Sequence, residues 1–153
     1  MSGNTGCQCL DRRRLLQGTL ALTGLPGLCC RTPEVPPASV AHEGASIIID
    51  LQKAPELRRT GTARALVDIG RKVNIVVVHP SRQRYVALDR SCTHGGAQVT
   101  YNHRRRTVQC TSVNHAEYDL AGTLLHGRTH GNLRAYPVRL AGSRLEIVLE
   151  PEA

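Results

Sequence analysis

Short runs of aliphatic and β-branched residues, separated by polar turns, constrain the fold of this chain more than any other feature. Before residue 90 these runs are SIIIDL, ARALVDI, VNIVVVHP and RYVALD, and after residue 122 they are TLLHG, LRAYPVRL and RLEIVLE. Valine and isoleucine favour strands, because branched side chains pack well on a pleated surface. No stretch of ten or more residues after position 45 has apolar residues at helical spacing. We therefore predict an all-β fold, a small antiparallel sandwich or barrel.

Length and composition limit the size and the core of this fold. A chain of 153 residues is long enough for one domain with a short leader. Hydrophobic residues make up 41%, yet Phe and Trp are absent and there are only four Tyr, so Val, Ile and Leu must build the core. The net charge of +8 is spread along the chain. Proteins that bind nucleic acid need a basic stripe and stacking aromatic residues, so we predict no nucleic-acid partner.

The N-terminal stretch has the order of an export signal. Three arginines precede Leu15–Cys30, an uncharged run of 16 residues. This run is shorter than the roughly 20 residues that a membrane-spanning helix needs, which argues against a stably anchored subunit. Positive residues before a short apolar run are typical of export signals, and Arg12-Arg13 resembles the twin-arginine form. We predict an exported, periplasmic protein; the alternative is a disordered basic N-terminus without a targeting role.

Small residues suggest where this signal ends. Ser39 and Ala41 stand at the −3 and −1 positions of a cleavage site after residue 41. We therefore divide the chain into an export signal and linker, 1–41, and a domain, 42–153. Only two of the six cysteines lie in that domain; those before it are Cys7, Cys9, Cys29 and Cys30.

Two cysteine–histidine pairs stand out in the domain. Cys92 and His94 form the first pair, Cys110 and His115 form the second, and 15 residues separate His94 from Cys110. Between them, VTY and TVQ read as paired strands that flank a turn over residues 102–106. Such a hairpin would bring both pairs to the same end. A Cys₂His₂ set could hold zinc in a structural site, and two cysteines in an exported domain could instead form a disulfide.

The sequence around the pairs resembles the Rieske [2Fe-2S] domain family, from about Ile47 to Leu149. Cys92-Thr93-His94-Gly95-Gly96 is similar to the first ligand box of that family, C-x-H-x-G. Tyr118-Asp119-Leu120-Ala121-Gly122 is similar to the segment that follows its second box, and Tyr136-Pro137-Val138-Arg139 to its end. The resemblance implies a small antiparallel Rieske-like fold with two cluster-binding loops at one end.

The resemblance also implies a cofactor and a function. A [2Fe-2S] cluster would have both cysteines on one iron and both histidines on the other. Such a cluster has no open iron position, so we expect an electron carrier or small redox subunit of an oxidoreductase. We expect no catalytic site of its own and no small-molecule substrate at the metal. Arg104-Arg105-Arg106 on the hairpin turn is either a solvated turn or a docking patch for an acidic redox partner.

The second box departs from the family, which has C-x2-H where this chain has C-x4-H. Val113 occupies the usual histidine position, and we expect His115 to be the ligand because it lies between Cys110 and the Tyr-Asp pair. Three other histidines remain as alternatives: His103, His126 and His130. Some family members tie the two loops with a disulfide, but Ala97 and Ser112 occupy those positions here. The resemblance leaves Tyr118 as a hydrogen-bond donor to a cysteine sulfur.

Overall fold

The computed structural model describes residues 31–113 and 116–149. Within these ranges the chain forms β-strands and two short 3₁₀ turns, Pro37–Ser39 and Pro55–Arg58, and it contains no α-helix. The strands are β1 Val40–Glu43, β2 Ser46–Asp50, β3 Thr62–Asp68, β4 Val73–Ser81, β5 Arg84–Asp89, β6 Val99–Asn102, β7 Thr107–Cys110, β8 Glu117–Tyr118, β9 Leu124–His126, β10 Ala135–Tyr136, β11 Val138–Ala141 and β12 Arg144–Val148. The predicted all-β class is confirmed.

These strands form three four-stranded antiparallel sheets. The first sheet has the order β1-β2-β12-β11, the second β10-β5-β4-β3 and the third β6-β7-β8-β9. The third sheet is built from consecutive strands, so it folds as a local meander, and its ends carry the loops of the functional site.

Strand β4 lies between two hydrophobic cores, which explains its continuous apolar run. Ile75 and Val77 pack with residues of the first sheet, such as Ile147. Val76 and Val78 face the opposite way and pack with residues of the third sheet. Successive side chains of a strand point to opposite faces, so a strand covered on both sides is apolar at every position. The second sheet is therefore the middle layer of the fold.

The C-terminal hairpin agrees with the sequence only in part. Strands β11 and β12 pair across Gly142 and Ser143, as the turn residues predict. Leu145 and Ile147 of β12 are fully buried. In the sequence, Val138 and Leu140 alternate with charged Arg139, which predicts a buried face on this strand, but Leu140 is 40% exposed. The reason is position, because β11 is the edge strand of the first sheet.

The folded unit begins before the cleavage position that the sequence suggests. Contacts group residues from Thr32 onward into one compact unit. Val35 is 5% exposed and belongs to the core, and its N–H donates to the carbonyl of Ala65 at 2.8 Å. Strand β1 crosses the suggested position and pairs with β2. The twin-arginine-like stretch lies outside the described residues. No helix in the described part of the chain is long and apolar enough to span a membrane.

Candidate metal centre

Two loops at the same end of the β6–β7 hairpin carry the cysteine–histidine pairs. The first ligand loop, residues 91–98, connects β5 to β6, and the second ligand loop, residues 111–116, connects β7 to β8. The register pairs Val99 with Cys110, which places the two loops side by side, as predicted. Gln98 joins them directly, because its carbonyl accepts the N–H of Thr111 at 2.9 Å and the Thr111 hydroxyl at 2.8 Å.

Three of the four predicted ligand residues converge at these loops. The donor atoms of Cys92, His94 and Cys110 all lie within 4.8 Å of one another. The Nδ1 atom of His94 is 2.8 Å from the Cys92 sulfur and 3.8 Å from the Cys110 sulfur. Both cysteines are buried free thiols, so the disulfide alternative is wrong for this structure.

The fourth predicted ligand, His115, lies outside the described residues. The alternative histidines are described, and none of them joins the group of donors. His103 lies on the hairpin turn at the far end from both loops, where its Nδ1 is 3.2 Å from the Tyr101 hydroxyl. His126 belongs to β9 and His130 to the loop after it, and both are exposed.

Ser112 supports the donor group from the second ligand loop. Its hydroxyl lies 3.0 Å from Nε2 of His94, and its N–H donates to the Cys110 sulfur at 3.4 Å. The first contact leaves Nδ1 of His94 facing the two sulfurs. The resemblance to the Rieske family indicated only that Ser112 replaces a cysteine that forms an inter-loop disulfide in some members. No sequence pattern reveals its contact with His94, because that contact depends on how the two loops meet.

Tyr118 lies against the first ligand loop, as the resemblance implied. Its hydroxyl is 3.2 Å from the Cys92 sulfur and 3.3 Å from the Thr93 hydroxyl. The side chain is fully buried in the core shared by the second and third sheets. Burial is the main cause that raises the pKa of Tyr118, and its bond with Cys92 raises it further, so the phenol remains a hydrogen-bond donor.

The two thiols differ in acidity. Burial opposes ionisation of Cys92, but hydrogen bonds from Tyr118, from the backbone and side chain of His94 and from Cys110 together lower its pKa. Burial raises the pKa of Cys110, and its contact with Cys92 adds to that rise. Metal ligands of this kind are thiolates, so the lowered pKa makes Cys92 easier to convert to its ligand form than Cys110.

A tight turn fixes the end of the strand that carries Tyr118. The Asp119 carboxylate accepts the N–H groups of Ala121 and Thr123, each at 2.8 Å. Gly122 has a φ of +87°, and a Cβ there would lie 2.4 Å from the carbonyl oxygen of Leu133. Only glycine suits that backbone and that contact. The Tyr-Asp-x-x-Gly pattern therefore serves to hold the Tyr118 strand in place.

Two charged residues next to the ligand loops are buried, and the sequence did not indicate that they would be. Arg90, which precedes the first ligand loop, is 1% exposed, and its guanidinium donates to the Gln98 side chain at 2.6 Å. Glu117 is 6% exposed and accepts a 2.6 Å hydrogen bond from Thr107. Arg105 also contacts Glu117, at 3.2 Å. Arg90 directly follows β5 and Glu117 begins the two-residue β8, and charged residues are usually exposed, so no pattern marks them as buried.

Comparison with known proteins agrees with this site. The model of the Rieske [2Fe-2S] domain family matches residues 49–137. The chain belongs to the Rieske [2Fe-2S] family. The ferredoxin of carbazole 1,9a-dioxygenase from Nocardioides aromaticivorans IC177 has a similar fold, with a TM-score of 0.51 and 18% identity over 60% of this Rieske chain and 88% of that chain. The plasma membrane Rieske protein PetC3 from Synechocystis PCC 6803 gives a TM-score of 0.49 and 23% identity over 64% of this chain and 90% of that chain. No curated protein matches the sequence.

The donor set suits the cofactor of the Rieske family. Sulfur from both loops and imidazole nitrogen from the first are the donor types that a Rieske [2Fe-2S] cluster uses. Cys92, His94 and Cys110 are the described residues that would hold this cluster. When bound, the cluster takes up and releases single electrons. The buried sulfurs, the Tyr118 hydroxyl and the Ser112 contacts are what the protein would supply around it. This Rieske chain is therefore an electron-transfer protein.

Proposed function

We propose that the chain is an exported Rieske-type electron carrier, or the small redox subunit of an oxidoreductase, with no catalytic site of its own. The convergence of Cys92, His94 and Cys110 from two loops carries this proposal. Cys92 and Cys110 would bind one iron, and His94 and His115 would bind the other. The partner is a redox protein that docks where the ligand loops reach the surface.

The neighbours of His115 favour it as the fourth ligand. Ala116, the next residue along the chain, accepts the N–H of Cys110 through its carbonyl at 2.8 Å. Adjacent Cα atoms are about 3.8 Å apart, so a histidine directly before Ala116 in the chain is a reasonable candidate for a ligand beside Cys110. A C-x4-H spacing then requires only that the two extra residues extend outward. Val113, in that stretch, is 87% exposed.

Chemical analysis and histidine substitution test this ligand set. We expect the purified protein to contain two irons and two sulfides per chain, and to give a Rieske-type EPR signal when reduced. His115→Ala should abolish or alter that signal. His103→Ala, His126→Ala and His130→Ala serve as controls and should leave it unchanged. An unchanged signal in His115→Ala would show that another residue completes the site.

Export through the Arg12-Arg13 signal is supported by the sequence order of arginines and apolar residues. The twin-arginine route also suits a cofactor that is inserted before the protein crosses the membrane. Fusion of residues 1–45 to a reporter, with and without Arg12→Lys and Arg13→Lys, tests it. We expect the double substitution to stop export; export at the original level would exclude this route.

We infer that an acidic partner would face arginines other than those of the hairpin turn. Arg105 is paired with Glu117, and the hairpin turn lies at the far end from the ligand loops. By contrast, Arg128 is exposed in the loop that follows β9, and Gly131 of that loop accepts the Thr93 hydroxyl at 3.1 Å. We assign the acidic partner to this side of the first ligand loop, where charge speeds encounter.

Small oxidants of opposite charge test this assignment without the partner. Arg128→Glu should slow oxidation of the reduced protein by ferricyanide, an anion, and speed oxidation by a cationic cobalt(III) complex. The same change at exposed Arg104, on the far hairpin turn, is the matched control. Equal effects of the two substitutions would contradict a local docking site at Arg128.

A further inference from the structure

A cleft of about 650 Å³ lies at the end of β4 that is remote from the ligand loops. Residues from the β4–β5 hairpin, from the turn before β3 and from the β11–β12 turn line it. At the other end of β4, the carbonyl of Asn74 accepts the N–H of Arg90, just before the first ligand loop. His79 in the cleft is five residues further along, which is roughly 16 Å in a strand. The cleft is therefore separate from the metal centre.

The charged residues that line the cleft are all positive. Arg58 and Arg82 line it, and no acidic residue does. Neither arginine forms an ion pair with an acidic residue in the described part of the chain. Burial raises the pKa of Tyr85, which also lines the cleft, and the Arg58 charge opposes that rise, so the guanidinium lies near Tyr85. Two unpaired guanidinium groups in a concave site attract an anion.

His79 adds a buried polar group to the lining. It is 6% exposed, and its ring stacks on the Tyr85 ring with centroids 4.2 Å apart and planes 10° apart. Its Nδ1 atom has no hydrogen-bond partner among the described residues. Most buried polar atoms are paired, so this nitrogen has a hydrogen-bonding capacity that no described residue uses. Thr60 and Ser143, which carry hydroxyl groups, are also lining residues.

We propose that this cleft binds a phosphate-type oxyanion through the guanidinium groups of Arg58 and Arg82. Guanidinium groups bind phosphate oxygens through paired N–H donors, and the hydroxyls of the lining can satisfy remaining oxygens. The oxyanion is either free in solution or the headgroup of an anionic lipid. This site lies beyond the electron-transfer function and does not depend on which histidine completes the metal centre.

Titration of the cluster-loaded full chain with inorganic phosphate, at an ionic strength held constant with chloride, tests the proposal. The second arm is sedimentation with vesicles of phosphatidylglycerol, compared with vesicles of phosphatidylcholine. The variants are Arg58→Gln and Arg82→Gln, and the matched control is Arg84→Gln, an exposed arginine on β5 that is outside the lining. All three positions are exposed, and an unchanged EPR signal and circular dichroism spectrum verify that each variant folds.

We expect saturable binding in at least one arm, with a loss of tenfold or more in affinity for Arg58→Gln and Arg82→Gln and less than twofold for Arg84→Gln. Binding of phosphate identifies a free oxyanion, and binding of phosphatidylglycerol vesicles alone identifies a lipid headgroup. Equal losses in all three variants would reveal only non-specific attraction to a basic protein and would overturn the proposal. Absence of saturable binding in both arms would overturn it as well.

Discussion

At the scale of single residues, Tyr118 connects the core to the metal centre. Its hydroxyl contacts the Cys92 sulfur at 3.2 Å while the ring is fully buried. A hydrogen bond to a ligand sulfur stabilises the reduced cluster, which carries the extra electron, more than the oxidised one. The side chain is therefore placed to raise the reduction potential.

Removing this hydroxyl should lower the potential. We expect Tyr118→Phe to shift the midpoint downward by tens of millivolts, on the order of 1 kcal/mol for one electron. Redox titration followed by EPR measures the shift. Tyr101→Phe is the control, because that hydroxyl contacts His103 at the far end of the hairpin. An unchanged or higher midpoint in Tyr118→Phe would contradict a bond that favours the reduced state.

Glu117 makes the stability of the folded protein depend on pH in the acidic range. The hydrogen bond from Thr107 is the largest cause that lowers the pKa of this carboxyl, and the Arg105 charge lowers it further against the effect of burial. A lowered folded-state pKa means that the charged form stabilises the fold above the unfolded value, ordinarily 4.5. That contribution is lost as the pH falls from about 4.5 through the folded-state value.

Glu117→Gln should remove this part of the acid sensitivity. We expect the free energy of unfolding of the native protein to fall more steeply than that of the variant as the pH drops below about 5. Urea unfolding followed by circular dichroism at several pH values measures both slopes. Parallel slopes would show that Glu117 has the same pKa in the folded and unfolded chain.

Residue identity determined how much of the site could be predicted. Cys92, His94 and Cys110 are rare, chemically specific residue types at a recognisable spacing, so the sequence alone indicates a metal centre. Ser112 and Arg90 are different. Serine and arginine are common on surfaces, and their contacts with His94 and Gln98 exist only after the two loops meet. His115 remains a prediction.

At the scale of elements, the predictable strands are those with a buried face. The runs of β2, β3, β4 and β5 are rich in Val, Ile and Leu, and each prediction falls on the observed strand within one or two residues. Strands β1 and β8 were missed. Strand β1 is mostly exposed, and β8 contains only two residues, so neither has a hydrophobic period. These two strands form because β1 pairs with β2 and β8 pairs with β7.

The segment before His42 should therefore contribute to stability. A chain that begins at His42 loses buried Val35 and half of β1, whereas one that begins at Thr32 keeps both. Burial of one valine stabilises by about 1.5–3 kcal/mol, so we expect the shorter chain to be less stable by at least about 1.5 kcal/mol. Urea unfolding compares the two. Equal midpoints would show that cleavage after Ala41 leaves the domain intact.

At the scale of the whole molecule, β4 couples two cores in one fold. Its alternate residues pack on the first sheet and on the third sheet, so the layer that supports the metal centre also supports the opposite half. The sequence predicts a sandwich or barrel but not a three-sheet stack, because the apolar run of β4 shows burial on both sides without showing what covers each side. Which sheet covers each side of β4 depends on tertiary packing.

The central claim, that two loops hold one Rieske cluster with two histidine ligands, can be tested by counting nitrogen ligands. The measurement is pulsed EPR of the reduced protein grown with ¹⁵N-labelled histidine. We predict two strongly coupled histidine nitrogens in the native protein and one, or loss of the cluster, in His115→Ala. One coupled nitrogen or none in the native protein would contradict the account, as would two that persist in His115→Ala.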